Sequence, residues 1–171
     1  MSQPQHNTPG DIQELTAFHM YRAWSSANPI FTRLCEGRYN ITRREWRILG
    51  TAVRHNGVTS SMLAQAADLD AARTSRAVSS LCQKGWLRRQ RAAHNAKIVH
   101  IFVTETGYDL YHVLLPEICR LNQLITQDLS TSEITQLHQL LGKISHRARL
   151  LFEQDLIKAP PHRGNSKAQH G

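Results

Sequence analysis

The sequence has 171 residues, 40% of them hydrophobic, and a formal charge of +8 from 21 Lys and Arg against 13 Asp and Glu. That length supports one sizeable core but is short for two independent ones. No apolar run approaches the ~18 residues of a membrane span, and the polar start Met1 to Asp11 lacks the pattern of an export signal, so a cytoplasmic protein with no membrane partner is expected.

Residues 1–11 and 158–171 are rich in Pro, Gly, Asn, Gln and His, and are expected to be disordered tails around one domain, 12–157. From Ile12 to Cys35, Leu15, Phe18, Tyr21, Trp24, Phe31 and Leu34 recur at helical spacing, with a kink or break expected near Ala27 because Pro29 follows Asn28. Thr42 is placed to cap a second helix with Trp46, Leu49 and Val53 on its apolar side, ended by Gly57. Thr59 caps a short third helix, Ser60 to Ala67, and a tight turn at Asp68 to Asp70 leads into a fourth from Ala71 to Lys84. There Thr74, Ala77, Val78 and Leu81 form the buried stripe, while Arg73, Ser75, Arg76, Ser79 and Ser80 face outward.

After Gly85, Leu87 to Gln90 and Lys97 to Val103 read as a two-stranded hairpin around the polar stretch Arg91 to Ala96. A long helical pattern starts at Thr104, with a kink expected at Pro116. Ser130-x-x-Glu133 is a capping-box signature opening a last helix through Leu137, Leu141, Ile144 and Leu151. The chain is therefore mainly α with a small β-hairpin.

Between Arg38 and Lys97 there are 12 Lys or Arg against 3 Asp or Glu, whereas the remainder has 9 against 10, so the positive excess surrounds the third and fourth helices and the hairpin. A short helix, a tight turn and a second helix presenting Arg is what reading the major groove of double-stranded DNA requires. Arg73 and Arg76 share one face at i and i+3, and each guanidinium forks onto guanine O6 and N7. Ser75, Ser79 and Ser80 are expected to contact bases or phosphates, and Arg88, Arg89, Arg91 and Lys97 of the hairpin to neutralise phosphates. No phosphate loop, nucleophile elbow, HExxH or paired-carboxylate arrangement points to catalysis. No metal or other cofactor is expected: Cys35, Cys82 and Cys119 lack CxxC spacing, and His138 and His146 are too far apart for one site.

The segment LAQAADLDAARTSRAVSSLCQKGWLRRQ with KIVHIFVTETG resembles the MarR family of bacterial transcription regulators, notably at Leu81, Lys84-Gly85-Trp86, Arg89 and Thr104-x-x-Gly107; the likeness runs from about Ile12 to Phe152. It implies a winged helix-turn-helix over 38–103, with helices of 12–37 and 104–157 forming a homodimer that reads a near-palindromic operator. It also implies a repressor released by a small aromatic carboxylate or phenol. His19, Arg22, Trp24, Trp46 and Arg47 are the residues expected to line that ligand's pocket. The wing departs from the family: an Asp-x-Arg is common there, and this chain has Asn95-Ala96-Lys97, which removes the ion pair and the planar fork. A DNA-architectural protein without a ligand is the alternative, and oxidant sensing by Cys35 or Cys119 is left open.

Overall fold

A computed structural model describes residues 10–92, 94–154 and 156. Most of both expected tails lies outside that range; within it, Asp11 caps a short 3-10 turn, Ile12–Glu14. The elements that follow are α1 (Thr16–Thr32), a π-helical continuation (Arg33–Arg38), α2 (Arg43–Arg54), β1 (Val58–Thr59), α3 (Ser60–Ala66), α4 (Ala71–Gln83), β2 (Leu87–Ala92), β3 (Asn95–Val103), α5 (Glu105–Ile125) and α6 (Thr131–Glu153). The chain divides into two compact units, 1–125 and 126–171.

The helices continue through both prolines instead of breaking at them. Pro29 lies inside α1 and Pro116 inside α5. Each frees one carbonyl, four residues earlier, and those residues, Ser25 and His112, are exposed on the outer side of their helices.

The hairpin is longer than its apolar alternation suggested and is part of a three-stranded antiparallel sheet ordered β1-β3-β2. Its register pairs Leu87 with Val103 and Arg89 with Ile101, and β1 adds Val58 opposite Ile101. Inward residues of the sheet join those of α2 to α5 in one core that includes Ile48, Leu49, Leu63, Val78, Leu81 and Leu114. Thr74 is fully buried there too, and its hydroxyl has no hydrogen-bond partner among the described residues.

The junction between α4, the sheet and α5 accounts for the Thr104-x-x-Gly107 spacing. Gly85 turns the chain out of α4 at φ +75°. The Thr104 hydroxyl donates to the Gly85 carbonyl at 2.6 Å and accepts from the Gly107 amide at 3.1 Å. A Cβ at Gly107 would lie 2.2 Å from the Trp86 carbonyl oxygen, so only glycine lets α5 begin against the chain leaving α4.

In the second unit, Ser130 and Glu133 close the expected capping box at the start of α6. None of the residues of α6 is buried, and Leu137, Leu140, Leu141, Ile144 and Phe152 present apolar surface.

Candidate nucleic-acid interface and adjoining cavity

α4 starts at Asp70, whose Oδ1 accepts from the Arg73 amide at 2.8 Å. Its other oxygen pairs with Arg73 Nε at 3.1 Å. This contact uses Nε, the nitrogen at the base of the guanidinium fork. Ser75 and Arg76 are exposed beside it. Ser79 is half-buried and accepts from Arg89 Nη2 at 2.8 Å, so it orients a wing arginine and stands back from the outer surface. Ser80 departs further from the expected DNA-facing set, because its hydroxyl turns inward to the buried carboxylate of Glu45.

On β2, successive side chains alternate between faces. Arg88 lies over the Phe102 ring at 4.6 Å and donates to Gln90 Oε1 at 2.6 Å, while Arg89 and Arg91 take the opposite face. At the wing tip, Asn95 Oδ1 accepts from the Lys97 amide at 3.0 Å. Asn95 thus orders the turn through the backbone, without the ion pair of an Asp-x-Arg, and Lys97 is exposed.

Glu45 ties the first turn of α2 to the end of α4. It is 5% exposed, and its Oε2 accepts from the Thr42 amide at 2.7 Å and from Lys84 Nζ at 2.9 Å. Lys84 also donates to the Asn40 carbonyl at 2.6 Å, Asn40 being held at φ +50°. Burial alone would raise the Glu45 carboxyl, but the Ser80 hydroxyl, the Thr42 amide and the Lys84 ammonium outweigh it and hold it below the usual range.

A cavity of about 560 Å³ opens between α1, α2 and α5, walled by Trp24, Phe31, Trp46 and Ile118, with Cys35, Cys119, Asn122 and Gln123 also on its surface. Its cation is Arg43. The guanidinium sits 4.0 Å from the Trp24 ring and 5.0 Å from the Phe31 ring, and donates to Asn28 Oδ1. Burial lowers the Arg43 pKa, opposed by the nearby Cys35 and reinforced by Arg47. Burial likewise pushes the Cys35 thiol up, against the pull of Arg43. Cys119 is exposed.

Of the five expected pocket residues, Trp24 and Trp46 line this cavity and the others do not. His19 and Arg22 are exposed on α1, turned about 140° and 160° from Trp24 at 100° per residue. Arg47 donates instead to the Ala67 carbonyl at 3.2 Å. Arg43 was visible in the sequence only as one of several charges on α2. The signal that finds it is position: it begins α2, directly after the turn that brings α2 back against Phe31 and Cys35.

The sequence model of the MarR family matches residues 39–98, the segment from the start of α2 to the wing. The chain is similar to the transcriptional regulator PecS of Dickeya dadantii, 27% identical over 110 residues, which are 63% of this chain and 66% of PecS, just under two thirds. It is 24% identical to the regulator MgrA of Staphylococcus aureus over 144 residues, 83% of this chain and 92% of MgrA. The fold matches the structure of Bordetella bronchiseptica BpsR, described as regulated in its DNA binding by 6-hydroxynicotinic acid, at a TM-score of 0.75 with 18% identity, over 81% of this chain and 98% of that one. It also matches a MarR mutant from E. coli complexed with operator DNA, at a TM-score of 0.66 with 21% identity, over 79% and 99% of the two chains.

Proposed function

We propose that the chain is a DNA-binding transcriptional regulator of the MarR family, a repressor that a small aromatic carboxylate or phenol releases from its operator. Two copies pair through α1, α5 and α6 and place their α4 helices about one DNA turn apart, ~34 Å, on a near-palindromic site. Apolar surface left exposed on α1, α5 and α6 supports that pairing, including Tyr21, Ile30, Val113 and Leu124 in the first unit and Leu140 and Ile144 in the second. Arg73 and Arg76 read bases; Ser75 and the wing residues Arg88, Arg89, Arg91 and Lys97 hold phosphates.

The observation that carries the ligand reading is Arg43: one guanidinium between two aromatic rings, on the wall of a cavity of about 560 Å³. A flat monoanion stacks on such rings while its carboxylate takes the guanidinium fork. The same turn of α2 offers the route to DNA. Arg43 is two residues before Glu45, and Glu45 holds Lys84 and Ser80 of the α4 end. A ligand that draws Arg43 toward the cavity therefore biases the position of α4, and a coupling of about 1–3 kcal/mol shifts operator affinity about 5- to 150-fold. BpsR, whose DNA binding is regulated by 6-hydroxynicotinic acid, brings that compound into the test panel.

Calorimetry with benzoate, salicylate and 6-hydroxynicotinate, paired with footprinting on a duplex selected from a random pool, tests the proposal. Expected are binding of at least one acid, at least tenfold loss of it in Arg43→Gln, and one protected near-palindrome that the acid exposes. Uniform protection of any duplex, or release of DNA by an acid that Arg43→Gln binds equally well, overturns it.

A further inference from the structure

A second cavity, of about 470 Å³, lies on the other side of Trp24, Arg43 and Trp46, between α1, α2 and the turn that joins α3 to α4. Four guanidinium groups border it: Arg43, Arg44 and Arg47 of α2, and Arg73 from the first turn of α4. Among the described residues that line it Asp68 is the one carboxylate, and the Asp70 carboxylate pairs with Arg73 Nε at 3.1 Å. Counting both acids, the surroundings remain at +2.

An ordinary solvated face explains this arrangement poorly. Arg43, Arg44 and Arg47 occupy the first five residues of α2, the end of a helix whose dipole disfavours cations. They also lie in one another's field, and Arg47 depresses the protonation of Arg43. Arg44 is exposed, so nothing in packing requires a charge of that sign there, while Arg47 spends one terminal nitrogen on the Ala67 carbonyl and keeps the rest of its fork for the cavity side. The cavity also has apolar walls in Trp24, Trp46 and Leu69.

We propose that this second cavity is a binding site for a small organic dianion, a phosphate monoester or a dicarboxylate, which competes with DNA for Arg73. A dianion matches the +2 surplus, and forked guanidinium groups pair with phosphate or carboxylate oxygens alike. The apolar walls accommodate a short carbon body. Because Arg73 is also the residue assigned to base reading, occupancy removes a donor from the groove and lowers DNA affinity by about tenfold, and DNA weakens the dianion by the same factor. The site is distinct from the aromatic-acid cavity in the residues that matter: Arg44, Arg47 and Arg73 border only the second, Cys35 and Ile118 only the first.

The experiment titrates the full chain with phenyl phosphate, with succinate and with benzoate at matched ionic strength in chloride. Tryptophan fluorescence reports binding, since Trp24 and Trp46 wall both cavities, and anisotropy follows a pool-selected duplex. Phenyl phosphate or succinate, whichever source the site accepts, is expected to bind and to weaken DNA about tenfold. Arg44→Gln with Arg47→Gln, checked for an unchanged circular dichroism spectrum, lowers that binding at least tenfold and spares benzoate. Ile118→Trp fills the first cavity and does the opposite. If neither dianion binds more tightly than chloride, or if the Arg44/Arg47 double variant binds them as the wild type does, the inference fails. It fails equally if that variant loses DNA affinity in the absence of any dianion, which makes the arginines a clamp for DNA phosphate. Benzoate failing while a dianion succeeds overturns the aromatic-acid reading and leaves this one standing.

Discussion

Glu45 and Lys84 join the first turn of α2, where Arg43 lines the first cavity, to the end of α4, and the strength of that link follows from burial. The Glu45 side chain is 6% exposed and that of Lys84 24%, at 2.9 Å. Removing one member of a fully buried pair costs about 3–5 kcal/mol, because the other charge is left without a partner. Lys84 is partly open to water, so Lys84→Met is expected to cost about 2 kcal/mol, below that range. Glu45→Gln keeps an acceptor for the Thr42 amide, as glutamine serves in a capping box, and is expected to cost about 1–2 kcal/mol. The double variant is expected to cost about as much as the worse single change, leaving a coupling of about 1.5 kcal/mol.

Urea unfolding at one fixed protein concentration measures the cycle, since the apparent stability of the proposed dimer depends on concentration. Its pH dependence supplies a second readout. The folded Glu45 pKa is depressed, so its contribution is present above the ordinary glutamate value of about 4.3 and is lost as pH falls through the folded value. In Lys84→Met one of the stabilising donors is gone and burial weighs more heavily, so this acid loss shrinks. Additive single changes, to within about 0.5 kcal/mol, with an unaltered acid limb would refute the reasoning.

Thr74→Val replaces a fully buried hydroxyl that lacks a partner with a methyl of similar size, and is expected to raise the free energy of unfolding by about 1 kcal/mol in the same assay. Gly107→Ala forces a methyl onto the Trp86 carbonyl; a loss of about 3 kcal/mol, or failure to fold, is expected, and near-neutrality would contradict the close approach. Arg73→Ala and Arg76→Ala are each expected to reduce preference for a selected duplex over a random one by about 1–3 kcal/mol. Lys97→Ala weakens both duplexes alike and lowers the salt slope by about 1, measured by titration at several salt concentrations.

What was readable in the sequence is what local spacing encodes. The α4 stripe of Thr74, Ala77, Val78 and Leu81 repeats at helical period, and the structure buries all four. Capping at Thr42, Thr59 and Ser130 follows from side chains that reach their own backbone. β1 escaped because a two-residue strand has no period; it exists through pairing with residues more than forty positions away. Ser80 was misplaced for a related reason. It falls between the inward and outward faces of α4, and its direction is set by Glu45 on another helix. The first cavity takes its residues from α1, α2 and α5, so its aromatic walls were partly legible in the Trp24 stripe, whereas Arg43 needed the tertiary fold to bring it between Trp24 and Phe31.

The most direct test of the central claim is operator affinity followed by anisotropy against increasing aromatic acid, in the wild type and in Arg43→Gln. The account predicts that a pool-selected duplex is bound in both, that the acid weakens it at least fivefold in the wild type, and that Arg43→Gln abolishes this response. DNA affinity that stays constant across the titration, or falls equally in both proteins, would contradict it.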